Sequence, residues 1–340
     1  LIGLALATVA LLIALGGGRE AVAALATVQP GWILLALVVH YSGFLLRGTR
    51  WQQLLRVMGY RLPWRESMAI LLSGWFVSAL LPARAGDLLR VGLLRRPLAT
   101  RAAVPVAAGL SSILLERALD LVALLLLGAG VGFALLRTQL PTWLTVVYSG
   151  GLLGLIVLTG ALLVAPRLLT WLTDRWPHPW WQQVLRFAAD VVHGLRALGS
   201  QPATAVLVLL ESLYIWLCDA LLMWLVLRAL AVSAPLASIA FVALTVDIFA
   251  AIPITPGGIG QIEAVNVALL ALLPLPPFNI AAAVLVNRAI SYWSCLLVSG
   301  VVTFTTGIGQ FIVPLTQEHI RGEAISEEAT SGEKTSGEAR

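Results

Sequence analysis

Residues 203–230 read ATAVLVLLESLYIWLCDALLMWLVLRAL, and this stretch decides the fold. It is apolar for longer than the ~20 residues a helix needs to cross the hydrocarbon core of a bilayer. Lipid offers no partner to backbone N–H and C=O groups, so a spanning segment must satisfy its own, as a helix does. A barrel strand would alternate apolar and polar side chains; this stretch does not. Similar runs lie at 1–15, 32–46, 102–136, 143–164, 236–252 and 280–305, with shorter ones at 68–81 and 261–273. The pattern predicts an all-α, polytopic membrane protein with about six to eight membrane segments.

Composition points the same way. Of the 340 residues 59% are hydrophobic and 11% charged, against roughly 25% charged in soluble domains. Such a chain cannot cover a water-facing surface. The net charge of +5 is carried by arginine, with Lys334 the only lysine. That bias has two readings: a GC-rich genome, or the fit of planar guanidinium groups to phosphate. Nucleic acid is not an expected partner, because the arginines flank membrane segments and form no soluble basic domain. Cys218 and Cys295 lie far apart in apolar stretches and read as packing residues. The run that opens at Leu1 has no basic leader or clear cleavage site, and reads as a clipped first membrane helix rather than a signal peptide.

Residues 1–316 read as a single membrane domain and 317–340, rich in Glu, Ser, Thr and Gly, as a disordered polar tail. Within the domain, section 166–202 is amphipathic. It mixes Trp171, Trp176, Trp180 and Trp181 with Arg167, Arg175, Arg186 and Arg196, the pattern of a segment lying at the headgroup level. The basic loop expected at 47–65 and this surface section should both be cytoplasmic, which puts the N-terminus inside, in the plasma membrane. The equally basic 84–101 shares that side only if Met68–Leu81 dips in and returns, so a re-entrant hairpin is predicted there.

Two loops resemble each other: Pro82-Ala-Arg-Ala-Gly-Asp87 and Pro256-Gly-Gly-Ile-Gly-Gln261. A second match follows each at similar distance, Leu115-Glu-Arg-Ala-Leu-Asp120 against Val286-Asn-Arg-Ala-Ile-Ser291. The recurrence predicts duplicated halves at about 30–164 and 203–310; chance alignment of Pro–Gly turns is the competing reading. Broken helices at corresponding places in two halves are the sequence pointer to a transporter-like site.

Taken in order, Arg47-Gly-Thr-Arg-Trp51, Leu81-Pro-Ala-Arg-Ala-Gly-Asp-Leu-Leu-Arg90, Glu116-Arg-x-x-Asp120, Pro256-Gly-Gly-Ile-Gly-x-x-Glu263 and Arg288-x-x-x-Tyr-Trp293 resemble the flippase-like membrane domain family typified by the membrane region of lysylphosphatidylglycerol synthases. The resemblance implies movement of lipids or lipid-linked sugars across the bilayer. The chain departs from the family loop at Ala83 and Asp87, where Gly and Glu are usual. It ends in a short polar tail, so the synthase activity of two-domain relatives is not expected.

Glu116, Arg117, Asp120, Glu211, Asp219, Asp247, Glu263 and Arg288 fall in apolar segments. A charge at a helix centre costs about 2.5–3.5 kcal/mol on insertion scales, so these residues should face one another or a cavity. Either they form interhelical salt bridges, or they line a polar cavity that admits a headgroup. The candidate substrate-binding set is Arg84, Asp87, Arg90, Glu116, Arg117, Asp120, Glu263 and Arg288. Arg84, Asp87 and Arg90 are spaced by three. A helix starting after Pro82 would align them and point its first amides at an anion. The bland alternative is a cluster that only marks the cytoplasmic face. His40, His178, His193 and His319 are dispersed, and no nucleophile elbow, P-loop or zinc spacing occurs. The sequence therefore predicts no enzyme, cofactor or metal. It predicts transbilayer movement, of flippase or scramblase type, of a lipid or lipid-linked glycan with an anionic phosphate headgroup. The alternative is a non-transporting lipid-binding accessory to a separate lipid-modifying enzyme.

Overall fold

The computed structural model describes residues 8, 10–14, 18–81, 84–95, 103–135, 142–176, 178–251 and 255–309. Most of the run expected at 1–15, the polar tail, and loop residues Pro82, Ala83 and Pro253 lie outside them. Among the described residues every regular element is helical. In chain order these are α1 Arg19–Ala26, α2 Pro30–Val57, α3 Trp64–Leu80, α4 Ala85–Leu94, α5 Val106–Leu135, α6 Thr142–Arg175, α7 Pro179–Gly199, α8 Pro202–Ala229, α9 Leu236–Ala250, α10 Gln261–Leu270, α11 Pro277–Arg288 and α12 Cys295–Thr305. A 3₁₀ turn, Pro256–Gly258, precedes α10, and a π turn, Ala289–Ser294, fuses α11 to α12.

Proline opens α2, α7, α8 and α11, where its missing N–H costs nothing and its φ is already helical. Among the described residues three helices are long and apolar enough to cross a membrane: Pro30–Val57, Pro202–Ala229 and the fused Pro277–Thr305. At 28 residues a helix is about 42 Å long, more than the ~30 Å hydrocarbon core. The protein is a multi-pass helical membrane protein.

A long helix, a short pair and another long helix occur twice in order: α2, α3–α4, α5, and then α8, α9–α10, α11–α12. The two leading helices, α2 and α8, pack along each other. α3 folds back on α4 and α9 on α10, while α3 also leans on α12 and α9 on α5. Each short pair is thus held by the long helix from the other part of the chain. The α3–α4 contact depends on glycine: a Cβ on Gly86 would lie 1.7 Å from the Gly74 carbonyl oxygen. The Gly86 N–H also donates to Ser78 Oγ at 3.2 Å. The main core fills the space between α8, α9 and α11 with Leu222, Val226, Ile239, Leu244 and Val284. Leu34, Val38, Leu153, Ile156, Leu297 and Phe304 remain exposed on the outside, as a lipid-facing surface requires.

Two expected boundaries move. The surface section was expected from 166, but α6 runs through Pro166 to Arg175. The break falls beyond it, and α7 then packs on α5, where Gly194 lets the Leu115 side chain approach. The basic loop expected at 47–65 begins later, because α2 continues to Val57 and buries Arg47 and Arg50. Reading the span as ended by its first arginine overlooked carboxylates supplied by α5 and α8.

Candidate functional site

The site grows from the start of α4. Arg84 precedes that helix with φ 54 and ψ 39, a left-handed conformation that side chains other than glycine rarely adopt. Six residues on, Arg90 is 1% exposed. Its Nη2 donates to Glu116 Oε2 at 2.6 Å and its Nη1 to Asp87 Oδ1 at 3.3 Å. The guanidinium stands 4.2 Å from the Trp51 ring centroid. From α2, the fully buried Arg50 donates to Asp120 Oδ1 at 2.7 Å and Ser212 Oγ at 2.8 Å, and lies 3.6 Å from Glu116. Trp216 Nε1 also donates to Asp120, at 3.1 Å. Arg117 is looser and one-third exposed, 3.4 Å from Asp120 and 3.6 Å from both Asp87 and Glu116.

The charges can be counted. Arg50, Arg90 and Arg117 face Asp87, Glu116 and Asp120, three against three. Buried pairs of this kind survive desolvation only when well hydrogen-bonded, and here each carboxylate has at least two cationic contacts. Arg84 is left over. Among the described residues no carboxylate lies within ion-pair distance of it. Its Nη2 donates to the Ala250 carbonyl at 3.3 Å, at the end of α9. The Nε groups of Arg50, Arg84, Arg90 and Arg117 are buried without hydrogen-bond partners. The cluster carries a surplus of donors and of positive charge.

Glu263 and Arg288 form a separate pair between α10 and α11. Arg288 Nε donates to Glu263 Oε1 at 2.6 Å, and Glu263 Oε2 accepts the Gly260 N–H at 2.8 Å. Arg288 Nη2 donates to the Gly257 carbonyl at 3.2 Å, and the guanidinium lies 4.5 Å from the Tyr292 centroid. Tyr292 in turn donates to the Ala79 carbonyl at 3.0 Å, near the end of α3. The two regions therefore reach across to each other's hairpins, through Arg84 to α9 and through Tyr292 to α3.

Six of the eight sequence candidates, Arg84, Asp87, Arg90, Glu116, Arg117 and Asp120, come together. Glu263 and Arg288 stand apart from them. Asp87 and Arg90 share a helical face as expected, but Arg84 lies outside the helix. Arg90 is enclosed by carboxylates and an indole, which leaves it little capacity for a phosphate. Sequence reasoning missed Arg47, Arg50, Trp51 and Tyr292. It also missed His40, which meets a carboxylate through tertiary contact rather than ligand spacing, 3.4 Å from Asp219. The signal for Arg47 and Arg50 was the absence of proline between Leu46 and Val57, with Gly48 the single weak point in the stretch. Glu211 and Asp219 take different partners on α2: Gln53 at 3.0 Å and Arg47 at 3.0 Å.

Residues 1–299 match the family model of the lysylphosphatidylglycerol synthase TM region. The chain belongs to this family. Among curated relatives, Glycosyltransferase AglD of Haloferax volcanii is 29% identical over 335 residues, covering 86% of this chain and 50% of the relative. This chain thus spans half the length of that protein. A UPF0104 membrane protein of Methanothermobacter thermautotrophicus is 24% identical, over 77% of this chain and 79% of its own length. Another, from Methanocaldococcus jannaschii, is 20% identical over 78% and 81%.

Proposed function

We propose that this family member moves a lipid or lipid-linked glycan with an anionic phosphate headgroup between the leaflets of the plasma membrane. The observation that carries this reading is Arg84, the guanidinium that three neutralised ion pairs leave without a counter-charge. A phosphate oxygen would supply the missing anion and accept from the unpaired Nε donors. Arginine's planar fork suits that contact, and the first amides of α4 add to it. Arg117, with its long and partly exposed contacts, is the second ligand in this reading. Arg90, Glu116, Asp120 and Arg50 hold the frame. Glu263, Arg288 and Tyr292 brace the opposite hairpin.

The architecture supports movement as well as binding. α4 and α10 have 10 residues each, about 15 Å, half of the ~30 Å core. Neither can cross, so α3–α4 and α9–α10 are read as re-entrant pairs in two duplicated halves, with broken helices meeting at the site. Arg56, Arg61, Arg65 and Arg95 then flank the cytoplasmic side, with the N-terminus inside. The names of the family and of the Haloferax relative both concern enzymes, and a lipid headgroup or lipid-linked sugar is the substrate class that fits a membrane region shared with them.

Reconstitution tests the reading. With fluorescent phosphatidylglycerol or a labelled polyprenyl phosphate in liposomes, the wild-type chain should exchange label between leaflets above the protein-free rate. Arg84→Lys should reduce exchange several-fold while inserting normally. Binding without exchange would favour the accessory role, and unaltered exchange by Arg84→Lys would remove Arg84 from the site.

A further inference from the structure

A second arginine without a counter-charge stands far from the first. Arg228 lies in the last turn of α8. Its guanidinium carbon is 5.6 Å from the ring centroids of both Trp32 and Trp224, within cation–π range. Among the described residues no carboxylate comes within ion-pair distance of it and no acceptor is bonded to it. An arginine at a helix end commonly bonds the open carbonyls of the last turn. Here those carbonyls are taken. The Leu230 N–H donates to Val226, Val232 to Leu227, Ala231 to Arg228 and Gln29 to Ala229, at 2.9 to 3.1 Å. Ala231 closes the helix at φ 57, in the left-handed place that glycine usually fills. Among the described residues only Arg84 and Ala231 adopt that backbone with a side chain.

Beside the guanidinium opens a cavity of about 200 Å³, lined by Gln29, Trp32, Arg228, Ala231 and Val232. The Trp224 indole is fixed by the Ala234 carbonyl at 3.2 Å. The Trp32 N–H and the Gln29 side-chain amide have no partner among the described residues. The lining therefore offers a cation and free donors, and no carboxylate.

Helix length places this cavity. Along α2, Trp32 and Arg50 are about 27 Å apart. Along α8, Arg228 is about 24 Å from Ser212, whose hydroxyl Arg50 bonds. The hydrocarbon core is ~30 Å thick, so the two arginine sites stand near its opposite faces. Tryptophan and arginine are both at home at the headgroup level. That preference alone does not call for a closed helix end, a guanidinium held between two indoles, and a cavity of unused donors. The aromatic slot already holds a cation, so a quaternary ammonium headgroup would meet repulsion there. A phosphate would meet a two-pronged donor.

We propose that Arg228, Gln29 and Trp32 form a second phosphate site, which takes the headgroup of an anionic lipid in the leaflet away from the Arg84 cluster. Its role as the far end of a path across the bilayer rests on the translocation reading above; its binding of the headgroup does not.

The test uses the full chain in phosphatidylcholine nanodiscs containing phosphatidylglycerol with a diazirine in its headgroup. After illumination, mass spectrometry should find the label on peptides spanning 29–32 and 228–232. Arg228→Gln should lower labelling there several-fold and leave labelling elsewhere unchanged. Equal labelling of the variant would overturn the site and make Arg228 an interfacial anchor. The wild type alone decides the matter should the variant not fold. Replacing part of the phosphatidylcholine with unlabelled phosphatidylglycerol should displace the label at 29–32 several-fold, and replacing it with zwitterionic phosphatidylethanolamine should not. Equal displacement by both would overturn the site. Displacement by millimolar inorganic phosphate would make free phosphate the occupant and overturn the assignment to a lipid. If the label is found at 29–32 but no lipid is exchanged in liposomes, the translocation reading fails and this site stands.

Discussion

The hairpin α3–α4 and the hairpin α9–α10 occupy equivalent places in the helix order and have been given different chemistry. Both turns visit the left-handed region: the second does so at Gly257, Gly258 and Gly260, the first at Arg84. Glycine adopts that backbone freely, whereas a residue with a side chain costs of order 1–3 kcal/mol. The second hairpin is anchored by one neutral pair, Glu263–Arg288. The first is anchored by three neutral pairs and carries a further cation in strained backbone. In the proposed reading the second hairpin gives support and the first meets the ligand, and the strain at Arg84 is the observation that favours it.

The contrast can be broken most forcefully at the anchors. Arg90→Leu should leave Glu116 buried without its shortest partner, and removal of one member of a buried pair costs about 3–5 kcal/mol. We expect strongly reduced insertion or a large fall in melting temperature. Arg288→Leu should cost as much or more, because Glu263 keeps only the Gly260 amide as a donor, whereas Glu116 keeps Arg50 and Arg117 at 3.6 Å. Melting curves in detergent rank the two, and a clearly smaller loss for Arg288→Leu would erase the distinction between a shared and a single anchor.

The glycines sharpen it next. Gly86 is required by space, since its Cβ would collide with the Gly74 backbone. Gly260 is required by its φ of 84, with nothing within 4 Å of a built Cβ. Gly86→Ala should prise α3 from α4 and cost about 1–3 kcal/mol or more, whereas Gly260→Ala should cost only ~1–2 kcal/mol of backbone strain. The same melting measurement separates them. A smaller and purely qualitative readout concerns the dip itself. Single cysteines replacing Arg61 and Arg95 should be labelled by an impermeant maleimide from the same side, and labelling from opposite sides would make α3–α4 an ordinary crossing.

Much of this was legible in the sequence. The span at 203–230 and the Pro- and Gly-marked turns gave the helix order, because hydrophobic length and helix-opening prolines act locally. The gathering of Asp87, Glu116, Arg117 and Asp120 was anticipated because charges in apolar helices have few other places to go. Arg50 and His40 were not, since their partners arrive from α5, α8 and α12 through packing that no local spacing records. The displacement of Arg84 from the helical face was hidden for a related reason. Its left-handed backbone sets it ahead of the helix, and its hydrogen-bond partner, the Ala250 carbonyl, comes from α9 far along the chain.

The account stands or falls on Arg84. Replacing it with glycine relieves the backbone strain and removes the surplus charge in one step, so stability and ligand binding should move in opposite directions. Thermal melting of Arg84→Gly without lipid should match or slightly exceed the wild type, by ~1 kcal/mol. The rise in melting temperature that phosphatidylglycerol gives the wild type should shrink several-fold. A variant that is destabilised in the absence of lipid yet stabilised by phosphatidylglycerol as well as the wild type would contradict the claim that Arg84 is held in strain to meet a phosphate.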